Sequence, residues 1–169
     1  MRDEPSIDRR AALTGVLAEH LLQHGLGASS LRTLAKAAGT SDRMLLYYFL
    51  DKDALLTAVL SQIADDMTTR LDAASDSARR SPETLTDLLR PTVLGDASWP
   101  YIVLWLELAG RAARHEAPYA DIARTIGERF LVWIEAHLDV SAKDAPDAAL
   151  AVLAEIEGWV VLKAIGLTD

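Results

Sequence analysis

No cysteine occurs in the 169 residues. Disulfide scaffolds, thiolate zinc sites, iron–sulfur clusters and cysteine nucleophiles are therefore excluded. Positive charge is in short supply: 17 Lys and Arg stand against 25 Asp and Glu, a net charge of −8. A general polyanion-binding surface is not expected. Long apolar runs are missing as well. The stretches Tyr101–Leu106 and Trp159–Leu162 are far too short to span a bilayer, so no membrane contact is expected and a cytoplasmic location is the default. Met1–Ser6 has no basic region leading into an apolar run, which argues against a signal peptide. Alternating β-branched runs with turn dipeptides do not appear either, so strands are not expected. What remains is half hydrophobic (50%) and a quarter charged (25%), the make-up of a folded globular chain rather than a disordered one. The length suits one domain, or two small ones sharing a core.

The charge is unevenly placed. Residues 1–53 hold seven basic and seven acidic side chains, while the other 116 hold ten and eighteen, so the whole excess of eight negative charges lies downstream. A basic face can therefore exist locally in the first third. All four tryptophans (Trp99, Trp105, Trp133, Trp159) follow residue 53. Two regions with different tasks are expected, 1–52 and 53–169.

Periodicity predicts an all-α fold. Leu13, Val16, Leu17, His20, Leu21 and His24 recur at helical spacing up to Gly25. Ser29 or Ser30 caps a short helix, Leu31–Ala38, that Gly39 stops; Ser41 caps another, to about Tyr48. Asp51 caps a long helix striped by Leu55, Leu56, Val59, Leu60, Ile63, Met67 and Leu71, which ends in the polar segment 75–81. Pro82 opens a helix that Pro91 ends or kinks. Trp99–Arg114 reads as a buried helix. Pro118 starts one carrying Ile122, Ile126, Phe130, Trp133, Ile134 and Leu138, and Ala142–Asp147 reads as a turn. The last helix, Ala148–Ile165, is apolar on most faces.

The most specific pattern is LRTLAKAAGTSDRMLLYYFL, residues 31–50. Ala35 lets two short helices approach closely, Gly39 supplies the turn, and Leu45 anchors the second helix, with Leu31, Leu34, Ala38 and Phe49 completing the apolar side. Such spacing is that of a helix-turn-helix, whose second helix enters a DNA major groove; an ordinary helical hairpin has the same outline. The sequence then goes further. From Ala12 to Leu56 it resembles the N-terminal domain of the TetR (tetracycline repressor-like) family, through ASSLRTLAKAAGTS, LLYYF and DKDALL. The resemblance implies an N-terminal three-helix helix-turn-helix domain followed by a divergent helical domain for ligand binding and dimerisation. It also shows departures: Leu46 where the family often has Tyr, Arg43 where it often has Gly, and Asp42 where a basic residue is frequent.

Chemistry assigns roles on that scaffold. Arg43 suits a bidentate contact to a guanine edge, and Leu46 suits a thymine methyl group. Ser30, Arg32, Thr33, Ser41, Tyr47, Tyr48 and Lys52 suit phosphate contacts, aided by the helix N-termini. Ser30 and Ser41 also suit plain capping. His20 and His24, four apart, have the spacing of a metal pair, but packing explains them better and no metal or cofactor is expected. His115-Glu116 is followed by Tyr119 rather than a second histidine, and no P-loop or G-x-S-x-G is present. No catalytic constellation supports an enzyme.

Downstream, Trp99, Tyr101, Trp105, Glu107, Arg111, Phe130 and Trp133 combine aromatic surface with a few polar groups, the usual make-up of a small-molecule site; an aromatic core has the same composition. The final helix carries Ala148, Ala149, Ala151, Ala154 and Gly158 among larger apolar residues. With the helix before it, it is expected to form a homodimer interface; burial within one subunit is the alternative. The expected protein is a ligand-responsive homodimeric regulator, a repressor released from a palindromic double-stranded operator by a small molecule. The rival is a helical adaptor on the same fold that does not bind specific DNA.

Overall fold

A computed structural model of the chain describes residues 4–76 and 78–168, with side chains from residue 8 onward. Met1–Asp3, Ser77 and Asp169 lie outside it. So do the outer ends of the two expected regions and part of the segment read for a signal peptide.

Among the described residues there are eight α-helices and no strand, as the periodicity predicted: α1 Glu4–His24, α2 Leu31–Ala37, α3 Asp42–Phe49, α4 Lys52–Ser75, α5 Pro82–Leu94, α6 Trp99–Ala112, α7 Tyr119–His137 and α8 Ala145–Ala164. A single 3-10 turn, Leu26–Ala28, joins α1 to α2. No helix among these residues is long and apolar enough to cross a membrane. The chain forms two compact units, one built on residues 1–65 and 104–122, the other on 66–103 and 123–169. The helices α4, α6 and α7 each begin in one unit and end in the other.

In the first unit α1, α2 and α3 pack on one another. Leu13, Leu17, Ala18 and Leu21 form the buried stripe of α1, with Leu34, Ala35, Leu45 and Phe49 from the two short helices. Val16, expected on that stripe, is 44% exposed; it lies at the edge of a face that the three-helix packing does not reach. The α4 stripe is confirmed in full, from Leu55 to Leu71, with no member more than 6% exposed. Burying each such side chain stabilises the fold by about 1.5–3 kcal/mol.

In the second unit α8 packs along α5. Ala149, Val152, Ile156 and Val160 face inward, as do Leu85, Leu89 and Val93. One expectation is settled and one corrected. Of the two outcomes expected at Pro91, an end or a kink, the end is excluded, because α5 continues to Leu94. The carbonyl deprived of its helical donor belongs to Asp87, on an exposed position, where the loss is mild. The helix α8 begins at Ala145 rather than Ala148, because Pro146 sits in its first turn, where a missing N–H costs nothing. The segment joining α4 to α5 pairs with the end of α7: the backbone of Arg80 exchanges hydrogen bonds with His137 and Asp139 (Arg80 N to His137 O 2.9 Å, Asp139 N to Arg80 O 2.7 Å), and the Arg79 side chain donates to the Leu138 carbonyl at 2.7 Å.

Candidate nucleic-acid interface

The helix α2 starts at Ser30, whose hydroxyl accepts from the Thr33 amide at 3.1 Å. The two hydroxyls lie 2.6 Å apart, so both are committed locally while remaining at the surface. The C-terminus of α2 closes in a Schellman arrangement. Thr40 N donates to Ala35 O at 2.9 Å and Gly39 N to Lys36 O at 3.2 Å, with Gly39 at φ +60°. Ser41 then caps α3 by accepting from the Met44 amide at 3.3 Å, and Asp51 caps α4 by accepting from Ala54 at 2.7 Å. Every cap foreseen in the sequence for this segment is in place.

The helix α3 buries only Leu45 and Phe49, four residues apart. Opposite them, at spacings of three and four, lie Arg43, Leu46, Tyr47 and Leu50, all exposed. Tyr47 is 73% exposed, and its ring meets that of half-buried Tyr48 edge-on at 5.2 Å. Lys52 and Arg32 are exposed on the flanking helices. The arrangement offers a cation and two apolar side chains for base edges, with hydroxyls and further cations on either side for phosphates.

Three features at this end escaped the sequence reading. Met44 flanks the outward face, 40% exposed; a helix that buries one residue in four should have suggested it. Leu50, 83% exposed, has φ +71° and ψ −58°. With Asp51 N donating to Phe49 O at 2.9 Å, it forms a γ-turn, a strained conformation for a leucine. Arg10 of α1 stands over the Phe49 ring at 5.1 Å, adding an exposed cation at the end of α3. No sequence signal pairs residue 10 with residue 49.

The downstream candidates divide between the two units. In the second, Trp133 is buried, donates from its indole nitrogen to Asp72 at 2.6 Å, and stacks on His137 at 3.9 Å. Tyr101 lies under Arg70 at 4.9 Å, Trp99 under the Lys163 ammonium at 5.3 Å, and Phe130 is half-buried. Trp105, Glu107 and Arg111 belong to the first unit. Glu107 and Arg111, four apart, do not pair: Glu107 accepts from the Leu26 amide at 2.7 Å, while Arg111 covers the Tyr119 ring at 4.8 Å and bonds Glu116 at 3.3 Å. Hydrogen bonds from Arg114 and Arg111 hold the Glu116 carboxyl below the usual glutamate range, Arg114 contributing most. The His20 and His24 rings touch each other, 4.6 Å between centroids. Among the described residues no three acidic, imidazole or thiol groups gather as for a metal ion.

A capped helix pair on a Gly39 turn, with a protruding and chemically mixed second helix, has the geometry of a helix-turn-helix. Comparison with known proteins agrees. Residues 16–59 match the family described as bacterial regulatory proteins, tetR family. The chain is 27% identical over 165 residues to the HTH-type transcriptional regulator BetI of Pseudomonas paraeruginosa, covering 90% of this chain and 80% of that protein. Among solved structures, a transcriptional regulator from Rhodococcus sp. Rha1 superposes with a TM-score of 0.70 at 25% identity, over 93% of this chain and 83% of that one. A TetR transcription regulator from Haloarcula marismortui shares the fold with a TM-score of 0.68 at 22% identity, over 94% and 87%. Residues 16–59 thus match the DNA-binding domain of the tetR family, and most of the chain is similar to transcriptional regulators.

Proposed function

We propose that the chain is a homodimeric, ligand-responsive repressor of transcription, acting in the cytoplasm on a palindromic double-stranded operator, and not an enzyme. The observation that carries this reading is the outward face of α3, where Arg43, Leu46, Tyr47 and Leu50 stand clear of the core that Leu45 and Phe49 anchor. Arg43 reads guanine, Leu46 a thymine methyl; Ser30, Arg32, Thr33, Ser41, Tyr47, Tyr48 and Lys52 fix the register on phosphates. Residues 1–52 form the DNA-binding region, and 53–169 serve the effector and the second subunit.

The dimer reading is supported by α8. Leu150, Val161, Leu162 and Ile165 are 57%, 46%, 37% and 64% exposed, with exposed Ala154 and Gly158 between them. A helix apolar on both faces needs a cover on both, and a second copy supplies it. The effector reading is supported by Trp99, Tyr101, Phe130 and Trp133 in the second unit. Their aromatic surfaces are tipped by Lys163, Arg70 and Asp72, polar partners that can be exchanged for those of a small, mainly apolar ligand.

Selection from random duplexes tests the core of the proposal. A two-fold symmetric consensus containing guanine, with preference at that base lost in R43A, is the expected result. No consensus from the full chain would favour the adaptor instead. For the effector, metabolites that quench tryptophan fluorescence should also release the selected duplex, because a ligand binding both states equally shifts nothing.

A further inference from the structure

We propose that Glu107 is the positioning residue that locks the joint between α1 and α2, and so fixes how α3 is presented to DNA; the inference rests on the DNA-binding reading above. The joint needs help from outside. The helix α1 closes with Gly25 N donating to Leu21 O at 2.8 Å, and the next amide, that of Leu26, opens the 3-10 turn. The residue preceding that turn is Gly25, which has no side chain to cap it. Glu107 supplies the missing acceptor from 81 residues away, 2.7 Å from the Leu26 nitrogen. A carboxylate on a backbone amide is a charge-assisted bond, about twice as strong as a neutral one.

Gly25 is fitted to this arrangement twice over. Its backbone is at φ +71° and ψ 179°, a region essentially reserved for glycine. A Cβ built on it would lie 2.9 Å from Glu107 Oε2 and closer still to Oε1, so any other residue would push the carboxylate off the amide. The far end of the turn is tied down separately. Ser29, 4% exposed, shares a hydrogen bond of 3.3 Å with the Tyr119 hydroxyl at the start of α7. The next residue, Ser30, is the cap of α2. Both ends of the three-residue turn that feeds the helix-turn-helix are thus held by side chains from α6 and α7. The bond at Glu107 is sensitive to position, since a lengthening of about 1 Å takes 2.7 Å beyond hydrogen-bonding range. A movement of α6 along its axis would therefore be felt at Leu26.

The test uses the full chain and its selected operator, the same duplex with one base pair inserted between half-sites, a single half-site, and amide exchange at Leu26 read by NMR. In E107L the Leu26 amide should exchange about tenfold faster, the expected result of losing one partly buried, charge-assisted bond. Preference for the correct spacing should fall about tenfold while half-site binding holds. E107Q, which keeps a carbonyl acceptor, should recover most of that preference, and G25A should reproduce the E107L defect with Glu107 still present. Circular dichroism identifies any variant that fails to fold, in which case E107Q and G25A decide. Unchanged Leu26 exchange or unchanged spacing preference in E107L overturns the proposal. So does an equal loss on half-site and palindrome without rescue by E107Q, the mark of a merely structural glutamate. A wild-type chain that selects no duplex would sink the DNA reading, and the exchange measurement would still judge the Glu107–Leu26 bond.

Discussion

The helices α3 and α8 both present apolar side chains to solvent, but they interleave them with different residues. The eight-residue α3 mixes its exposed leucines with Arg43 and Tyr47 on one narrow face. The twenty-residue α8 lines up Leu150, Ala154, Gly158, Val161 and Ile165, while its basic residue, Lys163, is turned to the Trp99 ring. The first surface suits an edge that is part charge, part hydrogen bond and part methyl group, as in a DNA groove. The second suits another apolar helix. Exposure of leucine alone therefore says little about a partner; the side chains interleaved with it decide.

The contrast can be broken most severely from inside α3. Leu45 is fully buried, and Leu45→Ala should destabilise the first unit by about 2–5 kcal/mol, seen as an early urea transition and loss of duplex binding. On α8 the informative change is Gly158→Leu. A Cβ there meets nothing within 4 Å inside the subunit and the position is exposed, so the fold should survive, while overpacking between copies should weaken the dimer by about 1–3 kcal/mol. Sedimentation should then show monomers at micromolar concentration with wild-type helicity. If the variant stays dimeric, the α8 face is not the interface.

Smaller effects sharpen the division within the DNA-facing end. Arg43→Ala should cost about 1–3 kcal/mol on the preferred site and relax choice at one base pair. Lys52→Ala should weaken all sequences alike and reduce the salt slope by about one. Titration against salt on specific and scrambled duplexes separates the two. The smallest effect is one of pH. Arg114 and Arg111 hold the half-buried Glu116 carboxyl below its ordinary value, so its contribution is complete above the unfolded value of about 4.3 and fades as pH falls through the lower folded one. Amide protection relative to the intrinsic exchange rate should fall for residues 113–117 in that acidic window, and Glu116→Gln should remove the dependence.

Much of α2 and α3 was legible because their signals are local. Ser30, Gly39, Ser41 and Asp51 act on backbone groups no more than five residues away, and that spacing is written in the chain. The α4 stripe was legible for the same reason. Glu107 was not: it read as a polar group of a small-molecule site, while its actual partner is a backbone amide 81 residues distant. Arg10 on Phe49 and Trp133 on Asp72 were hidden likewise by sequence separation. Pro91 left an end and a kink both open, because a rule about helix interiors does not weigh the packing of α5 on α8.

Hydroxyl-radical footprinting on the selected duplex addresses the central claim most directly. A dimer presenting two α3 helices predicts two symmetric protected stretches with centres about 34–36 Å apart, or a multiple of that, since both must meet the same face of the duplex. Arg43→Ala should weaken both stretches equally. A single protected stretch, or even protection along the whole duplex, would contradict the account.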